Sequence, residues 1–172
     1  MSIFSKEKKA APPRVQEKAE KELEKMRKYV SDIDNGYCSL EEYATNYLAY
    51  LDTLDALGHI TSKYKVYEIN FDVDIVREQA INDMQYDLRK AMRKIYRSEI
   101  EDLRATHLGL HNTGALKDAP EDTRQWQDVI VNNIRKLESD IQKYWTFFDS
   151  NTKETASDIL NKLNQLKEEE KA

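Results

Sequence analysis

Apolar residues recur at steps of three and four along several segments of this chain. That spacing follows the period of an α-helix, so it places the apolar side chains on one face, where they can pack against other helices. The clearest ladders are Ile130, Ile134, Leu137, Ile141, Tyr144 and Phe148; Leu40, Ala44, Tyr47, Leu51 and Leu54; and Ala156, Ile159, Leu163 and Leu166. The pattern predicts an all-α protein, an elongated antiparallel helical bundle with coiled-coil-like packing.

Few residues interrupt these ladders. The 172 residues include only four glycines and three prolines, the residues that most often break helices. Hydrophobic residues make up 40% of the chain, which is enough to form a core. These proportions favour helices over a sandwich or a barrel, because both of those folds need many turns.

One helical domain is expected at this length, and a long helical hairpin forms its spine. The predicted arms of the hairpin are residues 74–107 and 120–148. The domain is placed at residues 14–167, between a flexible basic tail at 1–13 and a frayed acidic end at 168–172.

Short polar side chains mark where several helices should begin, because their oxygens can accept hydrogen bonds from the first free backbone amides. The predicted capping residues are Ser39 with Glu42, Asp72 or Asp74, Asp118 with Glu121, and Asn151 with Glu154. Asn151 is expected to open a short last helix that ends near Lys167.

Residues 64–73 are the least helical stretch. Aromatic and β-branched side chains alternate there with other residues, and this alternation predicts a short extended segment. No other strand is predicted, so the segment is expected either to lie flat on the bundle or to pair across a dimer.

Charge and cysteine content suggest where the protein works. The net charge of -5 argues against indiscriminate binding to nucleic acid or to an anionic membrane. Cys38 is the only cysteine, so no disulfide forms within the chain, and we read it as structural. With no secretory signal and no apolar run of about 20 residues, a cytoplasmic protein without membrane contact is expected.

No motif of a known reaction is visible. The glycines match neither a P-loop nor a dinucleotide-binding fingerprint, and there is no nucleophile elbow. The Glu-x-x-His element of di-iron bundles is also missing. We therefore expect a protein that is not an enzyme and needs no cofactor.

The three histidines, His59, His107 and His111, are weak candidates for metal binding. Their number resembles the DinB-like four-helix bundles, and this resemblance implies three histidines on one divalent metal. The alternative is that His107 and His111 are solvated loop residues, since Gly109 separates them. Asn112-Thr113-Gly114 then follows at once, which also predicts a loop.

Five cations lie within nine residues, with no acid among them. Such a stripe can track phosphates, and it can equally pair with acids on neighbouring helices or on an acidic protein partner. The five residues are Arg89, Lys90, Arg93, Lys94 and Arg97.

Aromatic residues are the second group of candidate contacts. Tyrosine combines a rigid apolar ring with a polar tip, which suits interfaces, although burial in the core is the commoner role of a single tyrosine. A single helix face cannot bury Trp145, Phe147 and Phe148 together, because they surround one turn. The candidate interaction residues are Tyr43, Tyr47, Tyr50, Trp145, Phe147 and Phe148.

The sequence thus favours a non-enzymatic interaction protein, regulatory or structural in an assembly, with an unknown protein partner and a tendency to form homo-oligomers. The first alternative is a nucleic-acid-associated protein that uses the stripe at residues 89–97. The second is a metal-dependent helical enzyme at the three histidines.

Overall fold

The structure, a computed structural model, describes residues 8–37, 39–114 and 120–171, without the side chains of 111, 112, 120–123, 170 and 171. The predicted all-α bundle is confirmed, since helices dominate and strand is almost absent. In chain order the elements are β1 (Lys9–Ala10), α1 (Pro13–Asn35), α2 (Leu40–Lys63), β2 (Tyr64–Lys65), α3 (Val73–Ile95), a π-helix (Tyr96–Glu101), α4 (Asp102–Asn112), α5 (Pro120–Tyr144), a 3₁₀ turn (Trp145–Phe147) and α6 (Ser150–Lys171). Cys38 and Asp118, two residues singled out from the sequence, lie outside the described residues, as do residues 1–7 of the predicted tail.

The chain divides into two compact units. The first combines residues up to 37 with 43–84, and the second combines 38–42 with 85 onward. The first unit buries Ala19, Leu23, Ala44, Tyr47, Tyr50, Leu51, Leu54, Leu57, Ile60, Val66, Val73, Ala80 and Met84. The second buries Leu40, Leu88, Ala91, Met92, Ile100, Ile130, Ile134, Leu137, Ile141, Tyr144, Phe148, Ala156, Ile159, Leu163 and Leu166. All members of the three predicted ladders are buried.

The extended segment predicted at residues 64–73 is confined to β2, and its strand partner belongs to the same chain. β2 pairs in parallel with β1, and Lys9 lies opposite Tyr64. The Ala11 amide extends the pairing by donating to the Lys65 carbonyl over 3.3 Å. The expectation that this segment lacks an internal partner was therefore wrong.

A small apolar cluster explains why β1 lies beside β2. Ala19, Ile60 and Val66 form its buried centre, and Ala11 and Val15 pack against them. Burial of these side chains holds the start of α1 near the end of α2, which brings two otherwise marginal two-residue strands together.

Helix starts follow the predicted caps at two positions and differ at a third. The Ser39 hydroxyl accepts from the Glu42 amide at 3.2 Å, as predicted. Asp72, one of two predicted candidates, accepts from the Asp74 amide at 3.0 Å. The cap of α6 is Asp149, not Asn151, because its carboxylate accepts from the Thr152 amide at 2.8 Å. The helix that Asp149 opens has 22 residues, so the expectation of a short last helix was also wrong.

A π-helix interrupts the first arm of the hairpin, between α3 and α4. Continuing the steps of three and four from Ile95 would bring Ser98, Glu99 and then Asp102 to the buried face. The wider π-turn, in which the Asp102 amide donates to the Arg97 carbonyl, makes a five-residue step to Ile100 instead. Ile100 is fully buried as a result, so the π-turn keeps the apolar face continuous past a polar run.

Candidate interaction surface

The basic stripe, which begins on α3 and ends at Arg97 in the π-helix, divides into residues that hold α6 and residues that face solvent. Arg89 belongs to the first group, because its guanidinium donates to the Thr152 hydroxyl at 3.0 Å. It also lies 3.6 Å from the Asp149 carboxylate, which caps α6. Arg89 therefore helps to fix the start of α6 and is only partly available to a partner.

Arg93 is intermediate between the two groups. Its guanidinium donates to the Thr155 hydroxyl at 3.2 Å, one turn further along α6, yet its side chain remains exposed. Thr155 is neutral, so this contact positions the arginine without neutralising its charge.

Lys90, Lys94 and Arg97 are exposed, and their side chains form neither a hydrogen bond nor an ion pair with the described part of the chain. At about 100° per residue they share one side of the helix with Arg93. We call these four residues, Lys90, Arg93, Lys94 and Arg97, the cationic face.

Tyr86 lies one turn before Lys90, at the N-terminal end of the cationic face. Its side chain is 59% exposed, which is unusual for so large a ring. Tyr86 is near the basic stripe in the sequence, but it is not among the six aromatic residues predicted as contacts. The signal that could have found it is its step of four residues to Lys90, on the opposite side from the buried ladder of α3.

The buried residue before Tyr86 fixes the aromatic turn at the end of α5. Gln85 donates from its side-chain amide to the Phe147 carbonyl at 2.8 Å, and its side-chain oxygen accepts from the Asp149 amide at 2.9 Å. Phe147 is 47% exposed, whereas Phe148 is buried and Trp145 is half-buried. Gln85 thereby holds an exposed aromatic ring near the α3 residues that precede the cationic face.

The tyrosines predicted as contacts lie mostly in the core of the first unit. Tyr47 and Tyr50 are buried. Burial raises the pKa of Tyr50, and the nearby charge of Asp83 adds to the rise. Tyr43 is half-buried and packs edge-on against Tyr37, with ring centroids 5.0 Å apart. None of these three rings is an exposed contact surface in the described chain.

The histidines lie in helices, which corrects the loop predicted around Gly109. α4 includes both His107 and His111, and it continues through Gly109 because one glycine costs an α-helix only about 1 kcal/mol. The break comes at Gly114, whose φ of 77° lies in the left-handed region.

His107 packs within the second unit and does not face solvent. It is buried and stacks on Trp126, with ring centroids 6.0 Å apart, and its Nε2 atom has no hydrogen-bond partner among the described residues. His59 is exposed on α2, and the side chain of His111 lies outside the described residues. Within the described residues, no group of three or more His, Cys, Asp or Glu side chains is arranged to hold a metal ion.

A small cleft of about 200 Å³ in the second unit lies where the start of α2 meets α5 and the π-helix. Asp140 lines it and is 8% exposed. Burial raises the pKa of Asp140, although the charge of Lys136 and a hydrogen bond from the Glu41 backbone amide partly oppose the rise. At the same junction Glu41 accepts from Lys143 at 2.7 Å, which lowers the pKa of the Glu41 carboxyl.

The Asp140→Asn variant should become more stable relative to the wild type as the pH rises. Because the folded-state pKa of Asp140 is raised above its ordinary value of 3.8, folding favours the protonated carboxyl. That contribution is complete below the ordinary pKa and is lost as the pH rises through the folded-state pKa. Chemical denaturation of both proteins at several pH values, from acidic to neutral, would measure the difference.

The matched control is Asp158→Asn, which removes one carboxylate from an exposed position on α6. A stability difference between Asp140→Asn and the wild type that stays constant or shrinks with rising pH would contradict the role of burial at Asp140.

Comparison with protein-family models, with curated proteins and with solved structures finds no match to this chain. None of the described helices combines the length and the apolarity that a membrane crossing requires.

Proposed function

We propose that this protein is a non-enzymatic interaction protein, regulatory or structural in an assembly, that docks a partner on the cationic face. The observation that carries the proposal is the exposed combination of Tyr86, Lys90 and Lys94 on α3 with Arg97 in the π-helix that follows, whose cations have no ion-pair partners in the described chain. An amphipathic ring beside unpaired cations suits an interface, because the ring adds contact area and the charges add specificity.

The first alternative is a nucleic-acid-associated protein that uses the same residues. In its favour, tyrosine beside lysine and arginine is also a common arrangement where bases stack and phosphates are contacted. The alternative of a metal-dependent enzyme at the histidines has less support, because His107 is buried against Trp126 and His59 is exposed on α2.

Self-association remains part of the proposal on narrower grounds. Because β1 pairs with β2 in the same chain, strand pairing across a dimer does not support self-association. Exposed apolar side chains such as Leu108 on α4 and Val129 on α5 are the remaining support for a homo-oligomer. A single cysteine favours a reducing compartment such as the cytoplasm.

A photo-crosslinking amino acid in place of Tyr86 tests the proposal. Expressed in its source cells, this variant should yield discrete adducts on irradiation, because a docked partner would lie within reach of the ring. Digestion of the adducts with nuclease or with protease would identify the partner's class, and an adduct of twice the chain's mass would indicate self-association.

The control position is Tyr67, an aromatic residue of the first unit that is 77% exposed. The same crosslinker there should give no comparable adduct. Equal adduct patterns from the two positions, or none from position 86, would refute docking at the cationic face.

A further inference from the structure

We infer that the partner of the cationic face is an acidic protein segment that lays several carboxylates along α3 and an apolar side chain on Tyr86. This inference rests on the proposed function and adds the chemistry of the partner. It depends on the length of the face, on the acids that surround it and on the exposed ring at its end.

The cationic face is short. It extends from Lys90 to Arg97, so the four side chains emerge over about 10 Å of helix axis. Carboxylates at positions i, i+3, i+4 and i+7 of a partner helix would span the same distance, which allows one carboxylate to meet each cation. A nucleic-acid strand would place only a few phosphates over that length.

Acids border the cationic face at both ends. Asp87 precedes it on α3, and Glu101 follows it in the π-helix. A phosphate backbone that continued past the face in either direction would approach these carboxylates, and like charges repel. An acidic protein segment no longer than the cationic face would not extend to these carboxylates, so it would not be repelled by them.

α6 adds charges of both signs on one flank. Arg93 reaches Thr155, which places α6 beside the face. That helix exposes Glu154 and Asp158, and also Lys162, whose ammonium lies 5.5 Å from the centroid of the Tyr96 ring. The face is therefore a bounded positive patch on a chain of net charge -5. Such a patch favours a partner that carries only a short run of acidic residues, and it disfavours a long polyanion.

Tyr86 gives the patch an apolar end. Its ring is 59% exposed, one turn before Lys90. An apolar side chain of the partner, placed one turn before its first carboxylate, would cover the ring and shield the neighbouring ion pairs from water. Exposed ion pairs alone bind weakly, so this contact would contribute to affinity as well as to register.

Fluorescence anisotropy with defined probes tests the inference. The first probe is a labelled helical peptide with Glu at positions i, i+3, i+4 and i+7 and a Leu one turn earlier. The second carries Gln in place of each Glu, and the third is a labelled DNA duplex. At physiological salt the Glu peptide should bind more tightly than either comparison probe.

The decisive variant combines Lys90→Glu, Lys94→Glu and Arg97→Glu. Arg93 is left unchanged because it also contacts Thr155. Binding of the Glu peptide should weaken about tenfold or more, since three attractive pairs become repulsive. Circular dichroism would check that the variant is folded, and if it is not, the corresponding three Gln substitutions should weaken binding in the same direction.

A matched control carries the same net charge elsewhere. It combines Arg14→Glu, Lys18→Glu and Lys28→Glu on α1, where all three side chains are exposed. Its affinity for the Glu peptide should be within about twofold of the wild-type affinity. The inference would be overturned if the two triple variants lost equal affinity for the Glu peptide, or if the variant of the cationic face bound it as tightly as the wild type.

Two further outcomes separate this inference from the proposed function. If the DNA duplex binds more tightly than the Glu peptide, the partner is a nucleic acid, and the acidic-segment inference is wrong. If no probe binds while position 86 still crosslinks to a partner, the inference is also wrong, and the proposed function stands.

Discussion

Replacing Ile134 with aspartate is expected to lower the free energy of unfolding of the second unit by about 5 kcal/mol or more. Ile134 is 1% exposed in the middle of the α5 ladder. The substitution removes most of a buried aliphatic side chain and places a charged carboxylate in a buried position. Since domains are stable by only about 5 to 15 kcal/mol, the variant should be largely unfolded.

Tryptophan fluorescence during denaturation is the appropriate measurement, because Trp126 and Trp145 are the only tryptophans and both lie in the second unit. The matched control is Val129→Asp, which is on the same helix but 49% exposed. The control should change stability by less than about 1 kcal/mol. Similar losses in the two variants would mean that the α5 ladder does not form the core.

Gln85→Leu is expected to lower the free energy of unfolding by about 2 to 4 kcal/mol. The Gln85 side chain is 4% exposed and pairs with the Phe147 carbonyl and with the Asp149 amide. Leucine has a similar volume, so the substitution removes both hydrogen bonds and leaves two partly buried backbone groups without these partners.

The same denaturation measurement applies, with Gln142→Leu as the control. Gln142 is exposed on α5, so its replacement should be nearly neutral. A Gln85→Leu variant as stable as the control would show that the turn from Trp145 to Asp149 does not depend on these two bonds.

Gln85 also connects stability with the proposed interaction. It fixes the turn that carries Phe147, and Asp149 at the end of that turn caps α6 and attracts Arg89. A loosened turn would release Arg89, which would add a fifth cation to the four of the cationic face. Gln85→Leu is therefore expected to change partner binding as well as stability.

The proposed surface keeps four residues of the predicted basic stripe but has Tyr86 in place of the predicted tyrosines, and the reasons are physical. Periodicity identifies the apolar face of a helix, but it does not reveal which polar or aromatic side chains meet a neighbouring helix. Tyr47 and Tyr50 follow the α2 ladder into the core, whereas Tyr86 stays exposed. Arg89 and Arg93 reach threonines on α6, a contact between residues more than sixty positions apart in the chain.

The sequence alone determined the all-α class, the buried faces of α2, α5 and α6, and the cap at Ser39, and it narrowed the cap of α3 to Asp72 or Asp74. These features depend on neighbours within a turn or two of the same helix, where side-chain spacing is fixed by helix geometry.

Tertiary structure decided the rest. It paired β2 with β1 across more than fifty residues, and it chose Asp149 over Asn151 as the cap of α6, where Gln85 and Arg89 meet it. It also inserted the π-turn that buries Ile100 past a polar run. Each outcome depends on burial and on hydrogen bonds between segments that are far apart in sequence. A local sequence pattern cannot predict the free energy of such contacts.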